Sequence, residues 1–494
     1  MELQVHKIRK QYVEVEFNGT ESDAVILQNS LSGLYYDQIM AALEDVFKRY
    51  APSRDHLTIE RLDIDVGTLD LDSLESTLSE RIIQALEQSL QKLSVSAPLL
   101  HSRQTDTVTV TVKTEGDSLG DAFIFFLNNG TLPWSFHLPS GSTLEEAVYK
   151  LLKEPENFGA TPELIRGKVV QVLTSATAQK RLIHQFSPLF LETLLRLISP
   201  ERAAELRGFL TLFRSSEMLH ADAKHPEQLF WEEAFACLVS GKPLTEEKIS
   251  GAIRTDTTLS VFRHLSLESR FERYLSDLST TQKTGGLPLP SMPLDDHKTE
   301  SQASEKSTYT QNLQASADAD SLRTIEHPDA KTGIYTGLAG LVLLHPFLPQ
   351  LFRALGFADD ETLLQTNKAL YLLYFLATGE SNAPEYELVI PKILCNILFD
   401  ETIESGITLT AGEQEEAEAL LSAVIHHWEI LKNTSIEGLR ETFLKRSGKL
   451  SHYGNEWLLQ VELKGYDLLL EQLPWGISMI KLPWMSQMLR VEWI

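Results

Sequence analysis

Three segments in the first quarter of the chain have the apolar and polar alternation of β-strands. Residues 12–17 (Tyr-Val-Glu-Val-Glu-Phe) and residues 56–66 alternate with a period of two, which predicts half-buried strands. Residues 107–112 alternate threonine and valine. They form either a third strand or an extended linker.

Two other segments repeat their apolar side chains at helical spacing. Residues 22–50, with a break near Gly33, and residues 71–93 carry leucine, isoleucine, valine or phenylalanine every three or four positions. This spacing predicts amphipathic helices. Taken with the strands, it predicts a β-α-β-α module over residues 1–115.

The middle of the chain, residues 118–280, has mostly helical spacing and predicts a helical domain. Gly130 and Gly241 each end an apolar segment there, and Gly379 does the same later in the chain. Glycine adopts the left-handed backbone conformation that closes many helices, so each of the three is predicted to be a helix C-cap.

Residues 281–331 differ in composition from the segments on either side. They are rich in glycine, proline, serine, threonine, aspartate and glutamine, and they contain almost no large apolar residues. Such a segment cannot bury enough surface to offset the entropy lost on ordering. The composition predicts a disordered linker.

The last domain, residues 332–494, is predicted to be helical and to end in a small sheet. Residues 368–377 are apolar nearly all round, which predicts a buried helix. Alternation begins at Trp457, and residues 477–482 and 489–493 are predicted to add two more strands. The whole pattern predicts a helix-rich, multidomain α+β protein.

The tripeptide Leu-Pro-Trp occurs three times, ending at Trp134, Trp475 and Trp484, and another tryptophan lies at Trp493. Tryptophan buries a large apolar area, and the preceding proline restricts the backbone. Two interpretations stay open, namely core packing and a docking edge with Lys481 as its polar contact. The candidate docking or packing residues are Trp134, Pro474, Trp475, Lys481, Pro483, Trp484 and Trp493.

The charge and cysteine content narrow the classes of partner and the compartment. The chain has 44 Lys and Arg against 69 Asp and Glu, a net charge of −25. This charge disfavours nucleic acid and anionic membranes and allows a basic protein partner.

Cys237 and Cys395 lie in apolar helical segments and are predicted to be buried free thiols, which suits the cytoplasm. Residues 332–352 lack charge, but their glycines and prolines predict a broken, buried segment and no membrane span.

The polar motifs of the chain favour structural roles over catalysis. Asp63 shares a strand face with Arg61, which predicts a surface salt bridge. His426 and His427 are adjacent, so on a helix they point about 100° apart and cannot share a metal ion. Neither a catalytic residue, a metal ligand nor a cofactor site is predicted, and an enzyme is the least favoured class.

A cluster of glycines, Gly333, Gly337 and Gly340, lies at the start of the last domain. The Gly-Lys-Ser/Thr and G-x-G-x-x-G patterns of phosphate-binding loops do not occur there. The cluster therefore predicts close packing of the backbone against a neighbouring element.

Several blocks of this sequence resemble the family of contractile injection system tape measure proteins, which occur in gene clusters for phage-tail-like particles. The blocks are residues 6–8, 14–17, the helix at 27–28, 43–47, 59–67, 126–134, 340–349, 384–388 and 432–440 and the Leu-Pro-Trp tail. The resemblance implies a non-enzymatic tape measure or tail-length and assembly factor. It implies protein partners, namely the tail tube, the baseplate or other particle components, and it brings no catalytic residues. We expect no nucleic acid and no membrane span, and a location in the cytoplasm of the producing cell or in the particle.

The composition conflicts with a simple ruler mechanism. A helix of 494 residues would reach about 740 Å, but this chain has 20 prolines and 26 glycines. Two roles therefore stay open. One is a tape measure or tail-length factor, and the other is an assembly chaperone or adaptor that does not enter the particle. The oligomeric state is not predicted.

Overall fold

The computed structural model describes residues 6, 8, 11–34, 39–50, 56–70, 74–95, 103–105, 108–138, 141–200, 203, 224–242, 333–454 and 456–494. The chain divides into two units. The first comprises residues 1–125 and 132–169, and the second comprises residues 126–131 and 170–494. The predicted linker, residues 281–331, lies outside the described residues.

The first unit combines a three-stranded antiparallel sheet with helices. Its core contains Leu43 and Val46 on one helix and Leu86 and Leu90 on another, at the spacing that the sequence predicts. The sheet has the order β1-β3-β2. The elements are α1 (Glu21–Leu34), α2 (Met40–Tyr50), β1 (His56–Ile59), α3 (Leu74–Val95), β2 (Arg103–Thr105), β3 (Val108–Lys113), α4 (Glu115–Asn129), α5 (Leu144–Lys153) and α6 (Pro162–Val172), of which α4 and α6 end in the second unit.

The strands of the first unit differ in part from those predicted. The third strand is confirmed, because β3 pairs with β1 and places Val112 opposite Leu57. Residues 12–17 form no strand, and β1 ends at Ile59 and does not continue to residue 66. Alternation shows that a segment can form a strand, but a strand exists only where a neighbour supplies hydrogen-bond partners.

The second unit begins with helices from the middle of the chain and continues in the last domain. Every residue from Ala369 to Ala377 is buried, as the apolar pattern predicts. The helices are α7 (Ala176–Gln185), α8 (Pro188–Ile198), α9 (Lys224–Ser240), α10 (Leu348–Ala354), α11 (Thr366–Thr378), α12 (Val389–Leu394), α13 (Ala411–His427) and α14 (Ile436–Leu439), with a π-helical turn at Arg440–Leu444 and 3₁₀ turns at Ala339–Leu344, Glu385–Glu387, Glu429–Leu431 and Gly465–Gln472.

A five-stranded sheet completes the second unit, in the order β4-β5-β6-β8-β7. β6 and β8 run parallel, with Trp457 opposite Leu489, and the other pairs are antiparallel. The three strands predicted at the end of the chain are confirmed as β6, β7 and β8. The strands are β4 (Ile334–Thr336), β5 (Gly448–Tyr453), β6 (Glu456–Val461), β7 (Met479–Ile480) and β8 (Met488–Trp493).

Glycines lie where the sequence predicts tight backbone geometry. Gly130, Gly241 and Gly379 follow helices with φ of 72°, 69° and 76°, so the three C-caps are confirmed. At Gly340 a Cβ atom would lie 1.7 Å from the carbonyl oxygen of Phe443. The predicted close packing is therefore confirmed at Gly340.

Three further features of the described residues bear on the sequence predictions. Both cysteines are buried and free, as predicted. Arg61 Nε lies 3.0 Å from Asp63 Oδ1 in an exposed salt bridge, which is also as predicted. No helix in the described ranges is long and apolar enough to cross a membrane.

Candidate functional site

Trp484, in the last Leu-Pro-Trp, is built into the core of the second unit. Its ring is only 8% exposed and stacks on Phe352, with the ring centroids 5.5 Å apart. Its indole Nε1 donates to the carbonyl oxygen of Leu394 at 2.8 Å. The residue therefore has both the burial and the hydrogen-bond partner of a packed tryptophan.

A closed loop, residues 481–486, carries Trp484 into this position. Lys481 Nζ donates to the carbonyl oxygen of Ser486 at 2.8 Å, which joins the two ends of the loop. The backbone N–H and the hydroxyl of Ser486 both donate to Asn396 Oδ1, at 3.0 and 2.7 Å. Asn396 has φ of 56°, in the left-handed region that asparagine tolerates. Lys481, Pro483 and Ser486 are exposed in this loop beside the buried Trp484.

Trp475 lies nearer the surface, in a row of aromatic rings. It is half-buried, and its Nε1 donates to the carbonyl oxygen of Leu343 at 3.0 Å. Its ring meets Phe347 edge to face at 5.0 Å, and Phe347 stacks on the exposed His427 at 6.3 Å. Pro474 is exposed beside the row. This part of the tail therefore combines packing with accessible apolar surface.

The remaining two candidate tryptophans lie apart from these contacts. Trp493 is half-buried at the end of β8, where the Arg446 guanidinium lies 5.4 Å from its ring centroid. Arg446 in turn pairs with both carboxylate oxygens of Asp467. Trp134 belongs to the first unit and is half-buried there. Whether any of the seven candidate residues docks a partner stays a prediction.

A buried charge network in the second unit was not found from the sequence. Arg181 on α7 is fully buried, and its Nε lies 3.0 Å from Glu385 Oε1 although 204 positions separate the two residues. Lys392 on α12 donates to the same oxygen at 2.7 Å. Two cations thus share one carboxylate oxygen in the interior.

Backbone carbonyls satisfy the remaining donors of the network. Arg181 donates to the carbonyl oxygens of Leu127 at 2.6 Å, Asp400 at 3.0 Å and Phe399 at 3.2 Å. Lys392 Nζ donates to the carbonyl oxygen of Glu401 at 2.8 Å. Burial lowers the pKa of Lys392, and the neighbouring Glu385 carboxylate opposes that shift. The network joins residues near positions 127, 181, 385 and 400.

A glycine and a glutamine complete the surroundings of the network. A Cβ atom at Gly130 would lie 2.6 Å from Glu385 Oε1 and 3.1 Å from Arg181 Nη2, so this position admits no side chain. Gln185, one turn after Arg181, accepts from the Glu385 backbone N–H at 3.1 Å and donates to the carbonyl oxygen of Ile403 at 2.7 Å. Gly130 was predicted as a helix cap, but its role beside the charges had no signal in the sequence.

The role that these residues support is stabilisation of the folded second unit. Arg181 and Lys392 are both paired with Glu385 Oε1 inside the fold, whereas the buried Glu385 Oε2 has no hydrogen-bond partner among the described residues. In the described part of the chain no group of three or more His, Cys, Asp or Glu side chains could hold a metal ion. A pocket of about 420 Å³ opens beside the start of α11, where Lys368 is already paired with Glu413 at 2.6 Å.

The comparisons with known proteins identify a family. A family model described as contractile injection system tape measure protein matches residues 5–493, nearly the whole chain. No match was found among curated proteins or among solved structures.

Proposed function

The chain belongs to the contractile injection system tape measure protein family, and we propose that it acts as a non-enzymatic tail-length and assembly factor of a phage-tail-like particle. The observation that carries this proposal is the extent of the match, which includes both units and the Leu-Pro-Trp tail. The family is a structural one, and its members work within a particle together with other proteins. The tail tube and the baseplate are the partners that we propose.

The folded second unit supports a mechanism other than an extended ruler. The longest helix of the described residues, α3, has 22 residues and spans about 33 Å. Stretching the second unit into a rod would separate Arg181 from Glu385 and expose the core around them. Breaking a buried ion pair of this kind costs about 3–5 kcal/mol, before the lost core is counted. We therefore propose that the chain acts on tail length through folded surfaces that bind particle proteins.

A chaperone or adaptor that does not enter the particle is the second candidate. The net charge of −25 favours it, because a strongly acidic chain can bind basic partner proteins and keep them soluble during assembly. The two candidates differ in one observable, the presence of the chain in the finished particle.

Quantitative mass spectrometry of purified particles separates the two candidates. For a tail-length factor we expect the chain at a fixed number of copies per particle, and tails of abnormal length when its gene is deleted. A chaperone would be absent from particles whose formation still requires it. Particles of unchanged number and tail length in the deletion strain would contradict both candidates. Complementation with the wild-type gene is the control.

A further inference from the structure

Residues 12–17 of the first unit expose apolar side chains that the rest of the described chain leaves uncovered. Tyr12, Val13 and Val15 are 84%, 63% and 49% exposed. They form an almost continuous run. Single exposed apolar residues are normal on a protein surface, but a run of them marks an interaction site.

The backbone of the same segment has no strand partner. Residues 11–18 belong to no strand and no bridge in the described part of the chain. The alternation of residues 12–17 nevertheless has the pattern of a half-buried strand. An added strand on another protein's sheet would supply both the hydrogen-bond partners and the apolar cover.

The two faces that this strand would present have different chemistry. With side chains alternating, Val13, Val15 and Phe17 lie on one face, and Tyr12, Glu14 and Glu16 lie on the other. Glu14 and Glu16 are exposed and form no ion pair with a described residue. The first face requires apolar neighbours, and the second requires cations opposite the two carboxylates.

Among the chain's own sheet edges, β1 is a poor match for this segment. β1 (His56–Ile59) has no lysine or arginine to face Glu14 and Glu16, and the residues that follow it carry Glu60, Asp63 and Asp65, with Arg61 already paired with Asp63. Like charges directly opposite each other destabilise a strand pair. The charges therefore disfavour pairing with β1 of the same chain or of a second copy.

We propose that residues 12–17 dock as an added β-strand on the open sheet edge of another particle protein, whose edge strand carries lysine or arginine on one face and apolar side chains on the other. This inference rests on the proposed assembly function and specifies the class of partner. The carboxylates of Glu14 and Glu16 determine which face of the added strand meets the partner's cations. The backbone hydrogen bonds supply the affinity.

Site-specific photocross-linking in the full chain tests the proposal. A photoreactive side chain is placed at Val13 or Val15 in cells that assemble particles, and at Val25 on α1 as the matched control, since Val25 is also 54% exposed. We expect a cross-link from positions 13 and 15 to one strand of another particle protein, about tenfold above the control. The cross-linked strand should carry lysine or arginine at alternate positions.

Charge reversal tests whether the face with Glu14 and Glu16 meets cations of the partner. Glu14→Lys with Glu16→Lys should reduce the cross-link about tenfold, and Glu415→Lys with Glu416→Lys on the exposed side of α13 should leave it unchanged. A cross-link to the same chain, to a second copy or to no protein above the control would overturn the proposal. So would a partner strand that lacks cations or a cross-link that survives the reversal. The chain can still be found in particles in each of these cases, so failure here is distinguishable from failure of the proposed function.

Discussion

At the scale of single residues, Arg181 and Glu385 hold together parts of the chain that are far apart in sequence. Removing an ion from water costs several kcal/mol, and the attraction of its partner offsets that cost only when the remaining donors are also satisfied. Arg181 meets this condition through four acceptors, one carboxylate and three backbone carbonyls. The network is therefore sensitive to the loss of any one charged member.

Arg181→Met should strongly destabilise the second unit. The change leaves the Glu385 carboxylate with Lys392 as its one remaining cation and takes the Arg181 donors from the Leu127 and Asp400 carbonyls, and we expect a loss of about 3–5 kcal/mol in the free energy of unfolding. Urea unfolding followed by circular dichroism measures it. Arg61→Met is the matched control, because its salt bridge with Asp63 is exposed and should contribute about 1 kcal/mol or less. Equal effects of the two changes would contradict the structural role of Arg181.

Gly340→Ala should destabilise the chain, and Gly337→Ala should not. A Cβ atom at Gly340 would lie 1.7 Å from the Phe443 carbonyl oxygen, whereas nothing lies within 4 Å of one at Gly337. Overpacking of this kind costs about 1–3 kcal/mol and forces the backbone to shift. Thermal unfolding of the two variants measures the difference. Similar melting temperatures would show that the contact at Gly340 can relax.

Sequence patterns predict least about the contacts of single buried residues. Arg181 lies in a helix among polar neighbours, and nothing in the spacing of α7 marks it as buried. Its partner Glu385 comes from a 3₁₀ turn about 200 positions later, and a pairing over that distance has no local signal. Gly340 was predictable as a close-packing position, but the element that packs against it was not.

At the scale of elements, the strands at the end of the chain show what periodicity can predict. Strands β6, β7 and β8 followed from alternation, because each has one face on the core. The parallel pairing of β6 with β8 did not follow, since it depends on a connection through the 3₁₀ turn and the tail. Residues 12–17 had equally strong alternation but no neighbouring strand in the described chain.

Trp484→Phe should lower stability more than Trp475→Phe. Each change removes one indole N–H that donates to a backbone carbonyl. The Trp484 side chain is buried, whereas the Trp475 side chain is half-buried, so water can more easily replace the lost bond at Trp475. We expect a loss of about 1–3 kcal/mol for Trp484→Phe and less for Trp475→Phe. Near-ultraviolet circular dichroism on heating measures both. A larger effect at Trp475 would contradict the assignment of Trp484 to the core.

At the scale of the whole molecule, residues on both sides of the segment 243–332 build the second unit. Arg181 precedes this segment, and Glu385 and Lys392 follow it. The sequence predicted separate domains at 118–280 and 332–494, a division that composition favours and that stays a prediction. The buried network gives a reason to expect that the two parts depend on each other for stability.

Cutting the chain between these parts should leave them associated. A protease site engineered between Gly285 and Gly286 separates Arg181 from Glu385 covalently but leaves their network in place. We expect the two fragments to co-elute in size-exclusion chromatography after cleavage, because separation would strand buried charges. The same cleavage in the Arg181→Met chain should yield a weaker complex. Fragments that elute separately from the wild-type chain would contradict a shared folded unit.

The most direct test of the account is the length of the tails assembled with a longer or shorter chain. Residues 281–331 lie outside the described core, so 30 of them can be deleted or duplicated without changing the residues of the network. An extended ruler would change tail length by as much as about 100 Å in the direction of the change. A chain that acts through folded surfaces should give tail lengths equal to those of the wild type in negative-stain electron microscopy. Lengths that follow the number of residues would contradict the account.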